Sequence, residues 1–233
     1  GGCGKTTIST TLACYFAGQG YNTALMDYDP QNSSHHWLEM RTKDQPLIRS
    51  IEAAKPRVGV TRTWQLYTGT ETEVVVMDTP AGVTGGKLID LFNRADSILI
   101  PVMPSIIDYH AVEGFLNELM RLGRHRLQSK RIGIIANRVR FKTSSYNKIV
   151  ALAEKMEIPL IGTLRDTQNY AIAMESGLGI CEMKANRSVK DREQWQPIMK
   201  WLHQAIPDKQ QPPAIRYPDT NNWCTESTSL AVS

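Results

Sequence analysis

Long apolar runs are missing from this 233-residue chain. No stretch approaches the roughly 18 consecutive apolar residues of a membrane span, and no charged, then apolar, then small-residue signal segment opens it. Cysteine is sparse as well. Cys3, Cys14, Cys181 and Cys224 lie far apart with no C-x-x-C pair, which argues against a disulfide scaffold or a zinc site and points to inert thiols in a reducing cytoplasm. There is no internal repeat, and the length suits one large domain, or one domain and a tail, rather than two. The net charge is only +4, but it is unevenly placed. Between 121 and 200 there are 16 Lys and Arg against 7 Asp and Glu, leaving 11 against 16 elsewhere. Such asymmetry suits a surface that faces a polyanion.

What is present reads as alternating strand and helix. Residues from about Lys5 to Gly18 carry Ile8, Leu12, Tyr15 and Phe16 near helical spacing, with Gly18 and Gly20 as stops. TALMD (23–27), EVVVMD (73–78), SILIPVM (97–103), RIGIIAN (131–137) and IPLIGTL (158–164) are continuous apolar runs. Continuous rather than alternating runs predict strands covered on both faces. Between them, Val112, Phe115, Leu116 and Leu119 form one helical stripe, and Tyr146, Ile149, Val150 and Ala153 another. The alternation predicts an α/β fold with a mostly parallel sheet flanked by helices on both faces. A helix is expected near 167–176, then a final one carrying Ile198, Met199, Leu202 and Ile206, which Pro197 either starts or kinks. From Pro207 to Ser233 the chain is rich in Pro and polar residues and reads as a mobile tail, so the folded domain is expected over 1–206.

The chain opens GGCGKTT, and Gly4, Lys5 and Thr6 match the end of the phosphate loop G-x-x-x-x-G-K-[ST]. In that loop backbone N–H groups cradle phosphates, the Lys reaches the β and γ groups, and the hydroxyl binds Mg²⁺. The pattern's first Gly would fall two residues before Gly1, and the strand that should feed the loop is expected to be missing from this chain. Two strand-end acidic segments strengthen the reading: DYDPQ (27–31) and VVVMDTPAG (74–82). In a parallel sheet their carboxyl ends lie beside the phosphate loop, where a nucleotide-bound Mg²⁺ needs carboxylates. Asp27, Asp29 and Asp78 could instead be turn-forming or helix-capping acids. His35 and His36 have no third ligand nearby and read as polar surface residues. Met174, Met183 and Met199 read as core filler, and Cys3, at the loop's variable position, has no redox role.

GGCGKTT, DYDPQNS, VVVMDTPAG, IPVMPSIID (100–108), IANRV (135–139) and LRDTQNYAIAMESGLGICE (164–182) occur in the order seen in ParA-type partition ATPases. Over about 1–206 the chain resembles these proteins within the wider ParA/MinD group. The resemblance implies a deviant loop, K-G-G-x-G-K-[ST]-T, whose signature Lys would stand immediately before Gly1; the chain is expected to be truncated there and to be a poor ATPase by itself. It implies that Gly1, Gly2, Gly4, Lys5, Thr6 and Thr7 hold the phosphates of ATP, with Thr6 on Mg²⁺. Asp29 resembles the switch acid that orients the attacking water, Asp27 would support the metal site, and Asp78 resembles the acid that holds Mg²⁺ through water. Lys5, Asp29 and Asp78 are thus the implied catalytic set. A switch segment would run from Thr79 to Gly86, with Gly82, Gly85 and Gly86 giving it freedom. Asn137 and Arg138 match the adenine-contacting strand end.

The implied function is an ATP-dependent dimerising switch that positions a plasmid, chromosome or protein cargo by reversible, nonspecific DNA binding, in the cytoplasm and on the nucleoid. Its implied partners are a second copy, a ParB-like or cargo adaptor that stimulates hydrolysis, and DNA. Lys184, Arg187, Lys190 and Arg192 are the candidate phosphate contacts, with Arg165 beside them; pairing of these cations with Glu182, Asp191 and Glu193 is the competing reading. The alternative function is a MinD-like membrane-cycling regulator. It would need a basic amphipathic C-terminal helix, which the Pro-rich tail lacks, so no stable membrane association is expected.

Overall fold

The computed structural model describes residues 2–121, 130–140 and 143–205. The expected tail, Gly1, Ile206 and Cys224 lie outside the described residues. The chain divides into two compact units. One comprises Lys5–Ala81, Gln168–Arg192 and the residues described from Leu202 onward; the other comprises the opening glycine segment, Gly82–Thr167 and Glu193–Trp201.

In the first unit, α1 (Lys5–Gly18), β1 (Thr23–Asp27), α2 (Ser33–Glu39), β2 (Ile48–Glu52), α3 (Arg62–Gln65) and β3 (Val74–Asp78) follow one another. Their strands form a parallel sheet in the order β2-β1-β3. β1 is buried at all five positions, as its unbroken apolar run predicts for a central strand. Ala24, Met26, Ile51, Ala53 and Leu66 form a core beneath it. Helix α1 is buried around most of its circumference, including Ile8, Leu12, Ala13 and Phe16. Each large side chain there contributes about 1.5–3 kcal/mol of burial.

The end of α1 follows from Gly20. Its φ of 80° is a left-handed conformation that glycine adopts without strain. Gly20 N–H donates to Ala17 O and Tyr21 N–H to Phe16 O. Tyr21 then packs edge-on against Phe16, with centroids 5.9 Å apart. These bonds and the apolar contact close the helix as a Schellman motif.

The other unit contains α4 (Gly85–Arg94), β4 (Ser97–Val102), α5 (Ile106–Arg121), β5 (Arg131–Val139), α6 (Ser144–Lys155) and β6 (Leu160–Arg165). Its strands form a second parallel sheet, β4-β5-β6. Among the described residues the strands thus form two three-stranded parallel sheets, flanked by helices as the sequence predicts. Val102, Leu116, Leu119, Ile134, Ile149 and Leu152 are among the residues of a core built from both helical stripes and the strands. After β6 come α7 (Asn169–Glu175), a 3₁₀ turn (Ile180–Glu182) and α8 (Ala185–Leu202). Pro197 lies inside α8 rather than at its start. The carbonyl it leaves without an N–H is that of Glu193, an exposed residue that water can reach.

Candidate functional site

The strand ends place the acids. β1 and β3 pair in parallel with Asp27 opposite Asp78, so both carboxylates leave the same edge of the sheet. Both are almost fully buried, at 2% and 1% exposure. Tyr28 N–H donates to Asp78 O at 2.8 Å and Ala53 N–H to Asp27 O at 2.7 Å, which fixes the backbone on either side.

Asp78 faces the first turns of α1. Ser9 Oγ donates to Asp78 Oδ1 at 3.3 Å, and the Thr6 hydroxyl also bonds the carboxylate. Burial pushes the Asp78 carboxyl up to about 6; the Thr6 and Ser9 bonds and the Lys5 charge oppose that rise, and the Asp27 charge adds to it. Its other oxygen, Oδ2, is buried without a hydrogen bond. A buried carboxylate oxygen with no donor suits a cation or a cation's bound water. Together with the Thr6 hydroxyl and Lys5, these residues fit a magnesium-bound phosphate group.

Asp27 is arranged differently. Its Oδ1 accepts Asp29 N–H at 2.8 Å. Its Oδ2 accepts Ser34 Oγ at 2.7 Å, Ser34 N–H at 3.1 Å and His35 N–H at 3.2 Å. Three of the four donors fall on Oδ2 and one on Oδ1, so Asp27 is engaged mainly with the loop that follows β1. The sequence places Asp27 in support of the metal site; the bonds seen here tie it to the Asp29–His35 segment. Asp29 is half-buried, and its Oδ1 accepts Gln31 N–H at 3.0 Å. Sequence reasoning missed Ser34, whose only signal is a Ser at the start of a short helix.

Gly2 and Gly4 of the opening loop have φ of 97° and 92°, and Gly1 lies outside the described residues. A Cβ on Gly4 would overlap Asn137 Nδ2. That amide donates to Cys3 O at 2.8 Å, and Asn137 Oδ1 accepts Arg138 N–H at 3.0 Å. The residue expected to read adenine therefore braces the loop. Arg138 is exposed with φ of 52° at a register break in β5. Lys5, Thr6 and Thr7 open α1, half-buried.

Of the four candidate phosphate contacts, Lys184, Arg187 and Lys190 are exposed. Arg192 is not: it retains 3% exposure and donates to Met183 O. Its place in that set is corrected, because a buried guanidinium held by a carbonyl cannot reach a polyanion. Arg165 lies at the end of β6, half-buried, and its N–H donates to Gln194 Oε1. Glu182 is paired with Arg41, through contacts of 2.8 Å to each oxygen. Arg41 also donates to Gly177 O and Cys14 Sγ and lies 5.0 Å from the Trp37 ring centroid. Burial pushes the Cys14 thiol well above its ordinary value. Among the described residues no cluster of three or more His, Cys, Asp or Glu could hold a metal, and no helix is long and apolar enough to cross a membrane. His35 instead bonds Ser50 Oγ at 2.8 Å and lies 3.5 Å from Glu52.

The family model for the CobQ/CobB/MinD/ParA nucleotide binding domain matches residues 1–180. The maintenance of carboxysome distribution protein A of Halothiobacillus neapolitanus is 24% identical, covering 89% of this chain and 93% of that protein. The septum site-determining protein MinD of Neisseria meningitidis is 25% identical, covering 76% and 79%. Among solved structures, a complex of Cyanothece McdA with ATP aligns with a TM-score of 0.60 at 16% identity over 86% of this chain and 91% of that one. A Borrelia burgdorferi plasmid partition protein bound to AMPPNP gives 0.60 at 14% identity, over 86% and 93%.

Proposed function

Because the chain belongs to the CobQ/CobB/MinD/ParA nucleotide-binding family, we propose that it is a Mg²⁺-dependent ATPase whose nucleotide state drives the positioning of a cargo through reversible DNA binding. The observation that carries the reading is the buried Asp78, held by Thr6 and Ser9 beside Lys5, with one oxygen open. Thr6 and Asp78 are the residues that would hold Mg²⁺, which supplies charge neutralisation at the β and γ phosphates when bound. Lys5 counters charge that develops at the bridging oxygen, and the N–H groups of residues 2–7 cradle the phosphates. Asp29 orients the attacking water. Hydrolysis to ADP and phosphate then releases the Thr79–Gly86 segment, where Gly82 and Gly85 have positive φ.

Dimerisation on ATP, an adaptor that stimulates hydrolysis, and nucleoid association belong to the same proposal. The carboxysome-distribution and plasmid-partition relatives support cargo positioning, and the exposed Lys184, Arg187 and Lys190 support a polyanion partner. The test is retention of mixed-sequence duplex DNA with ATP, with ADP and across a salt series, against a variant with Ala at 184, 187 and 190. Three lost phosphate contacts should reduce the log–log salt slope by up to about 3. Equal binding by the variant would remove these cations from the account, and absence of ATP-dependent binding would overturn the DNA reading.

A further inference from the structure

Asp27 and Asp78 stand opposite each other on paired strands, yet the hydrogen bonds divide them into two kinds of acid. Asp78 keeps an oxygen without a donor. Asp27 has four donors, and they come from two places in the chain. Oδ1 holds the start of the loop at Asp29 N–H. Oδ2 holds its end, at the first turn of α2, through Ser34 and His35. One carboxylate thus clasps both ends of the loop that carries Asp29.

The helix start indicates why the clasp is needed. Asn32 is the N-cap of α2, with φ of 52°, and its side chain makes no capping bond. The orphan N–H groups of the first turn are accepted instead by Asp27, five residues earlier, and the Ser34 hydroxyl adds the shortest of the four bonds. Ser34 is fully buried, and hydrogen bonds to an ionised acceptor are about twice as strong as neutral ones. Within the clasp, Asn32 N–H donates to Asp29 O at 2.9 Å and Gln31 N–H to Asp29 Oδ1 at 3.0 Å. Asp29 is therefore restrained at its amide, its carbonyl and its carboxylate.

We propose that Asp27, with Ser34 as its hydroxyl partner, is the positioning residue that presents Asp29 to the attacking water. This rests on the reading of Asp29 as the water-orienting acid. Asp27 acts through loop geometry and takes no place on the metal. Loosening the clasp lets Asp29 wander from the reacting centre while Lys5, Thr6 and Asp78 keep their contacts. The effect should fall on turnover and spare binding.

The experiment compares Ser34→Ala, Ser34→Thr, Asp27→Asn, Asp29→Ala and the Ser34→Ala/Asp29→Ala pair. Amide hydrogen exchange on the nucleotide-free protein gives a readout independent of hydrolysis. Ser34→Ala should speed exchange at Asp29, Ser34 and His35 by about 5-fold or more, as expected for loss of one charge-assisted bond. It should lower kcat by a similar factor with ATP affinity and Mg²⁺ requirement unchanged. Ser34→Thr, which keeps the hydroxyl, should restore both. Asp27→Asn should do more, because an amide nitrogen would oppose donors. In the Asp29→Ala background, Ser34→Ala should lower kcat no further. An additive loss, or a raised Mg²⁺ requirement in Asp27→Asn, would overturn the proposal. So would unchanged exchange and kcat in both Ser34→Ala and Asp27→Asn. Full turnover in Asp29→Ala itself would instead overturn the catalytic reading of Asp29, and the exchange data would still report whether Asp27 holds the loop.

Discussion

Replacing Asp78 by Asn should make the metal-free protein more resistant to unfolding at neutral pH while abolishing its chemistry. Burial raises the Asp78 carboxyl to about 6 from the ordinary 3.8. A carboxyl whose folded pKa is raised favours folding fully only below its unfolded value, and that contribution is lost as pH rises through the folded value. The interval is about two pH units, and at 1.36 kcal/mol per unit the loss is about 3 kcal/mol. Asn does not ionise, so its stability should lack this dependence. The assay is urea denaturation of both proteins in EDTA without nucleotide, at steps from pH 4 to pH 7.5. The static cost of the amide cancels in the comparison across pH. The Asn variant's stability relative to the native protein should therefore rise by up to about 3 kcal/mol over that range, most steeply between pH 4 and 6. A flat difference, or one that falls with pH, would refute the picture of a carboxylate held against its desolvation cost. With Mg²⁺ and ATP present the order should reverse, since only the acid has charge to offer the ion.

Other perturbations reach other parts of the molecule. Gly4→Ala places a β-carbon at a φ of 92° and against the Asn137 amide; the strain, on the order of 1–3 kcal/mol, should weaken ATP binding by calorimetry about 10-fold or more. Arg41→Ala leaves Glu182 buried without its partner, and denaturation should report a loss of about 3–5 kcal/mol. Replacing both residues by Met should recover much of that loss. Arg192→Ala should lower the melting temperature and leave the salt slope of DNA binding unchanged, in contrast to the triple change at 184, 187 and 190.

Elements with an apolar signature were legible in the sequence. α1, β1 and β3 to β6 lie within a few residues of where their runs and stripes place them, because central strands and core helices need continuous or striped apolar surface. β2 was not legible: in IRSIE only the first and fourth residues are buried, the pattern of an edge strand with polar positions in water. The start of α8 was hidden for a different reason. Its buried positions near 188–192 are Ser188, Asp191 and Arg192, which bond the Met183 and Lys184 carbonyls and Asn169. A polar buried face carries no hydrophobic stripe, so the sequence leaves open whether Pro197 starts the helix or lies within it; it lies within. In the candidate site, motif spacing is what puts forward Lys5, Thr6, Asp29 and Asp78. The division of labour between Asp27 and Asp78 was invisible, since two strand-end aspartates look alike until their donors are known. The same limit applied to Asn137, whose amide braces the loop, and to Ser34.

Calorimetric titration of Mg²⁺-ATP into the native protein and into Lys5→Ala, with phosphate release followed in parallel, tests the central claim most directly. Lys5 opens α1 at the end of the glycine loop, and its charge acts on Asp78. The native protein should bind ATP and hydrolyse it slowly. Both should be lost in Lys5→Ala, with the melting temperature of the nucleotide-free protein little changed. Nucleotide affinity that survives the substitution within a few-fold would contradict the assignment of residues 2–7 as the phosphate-binding loop.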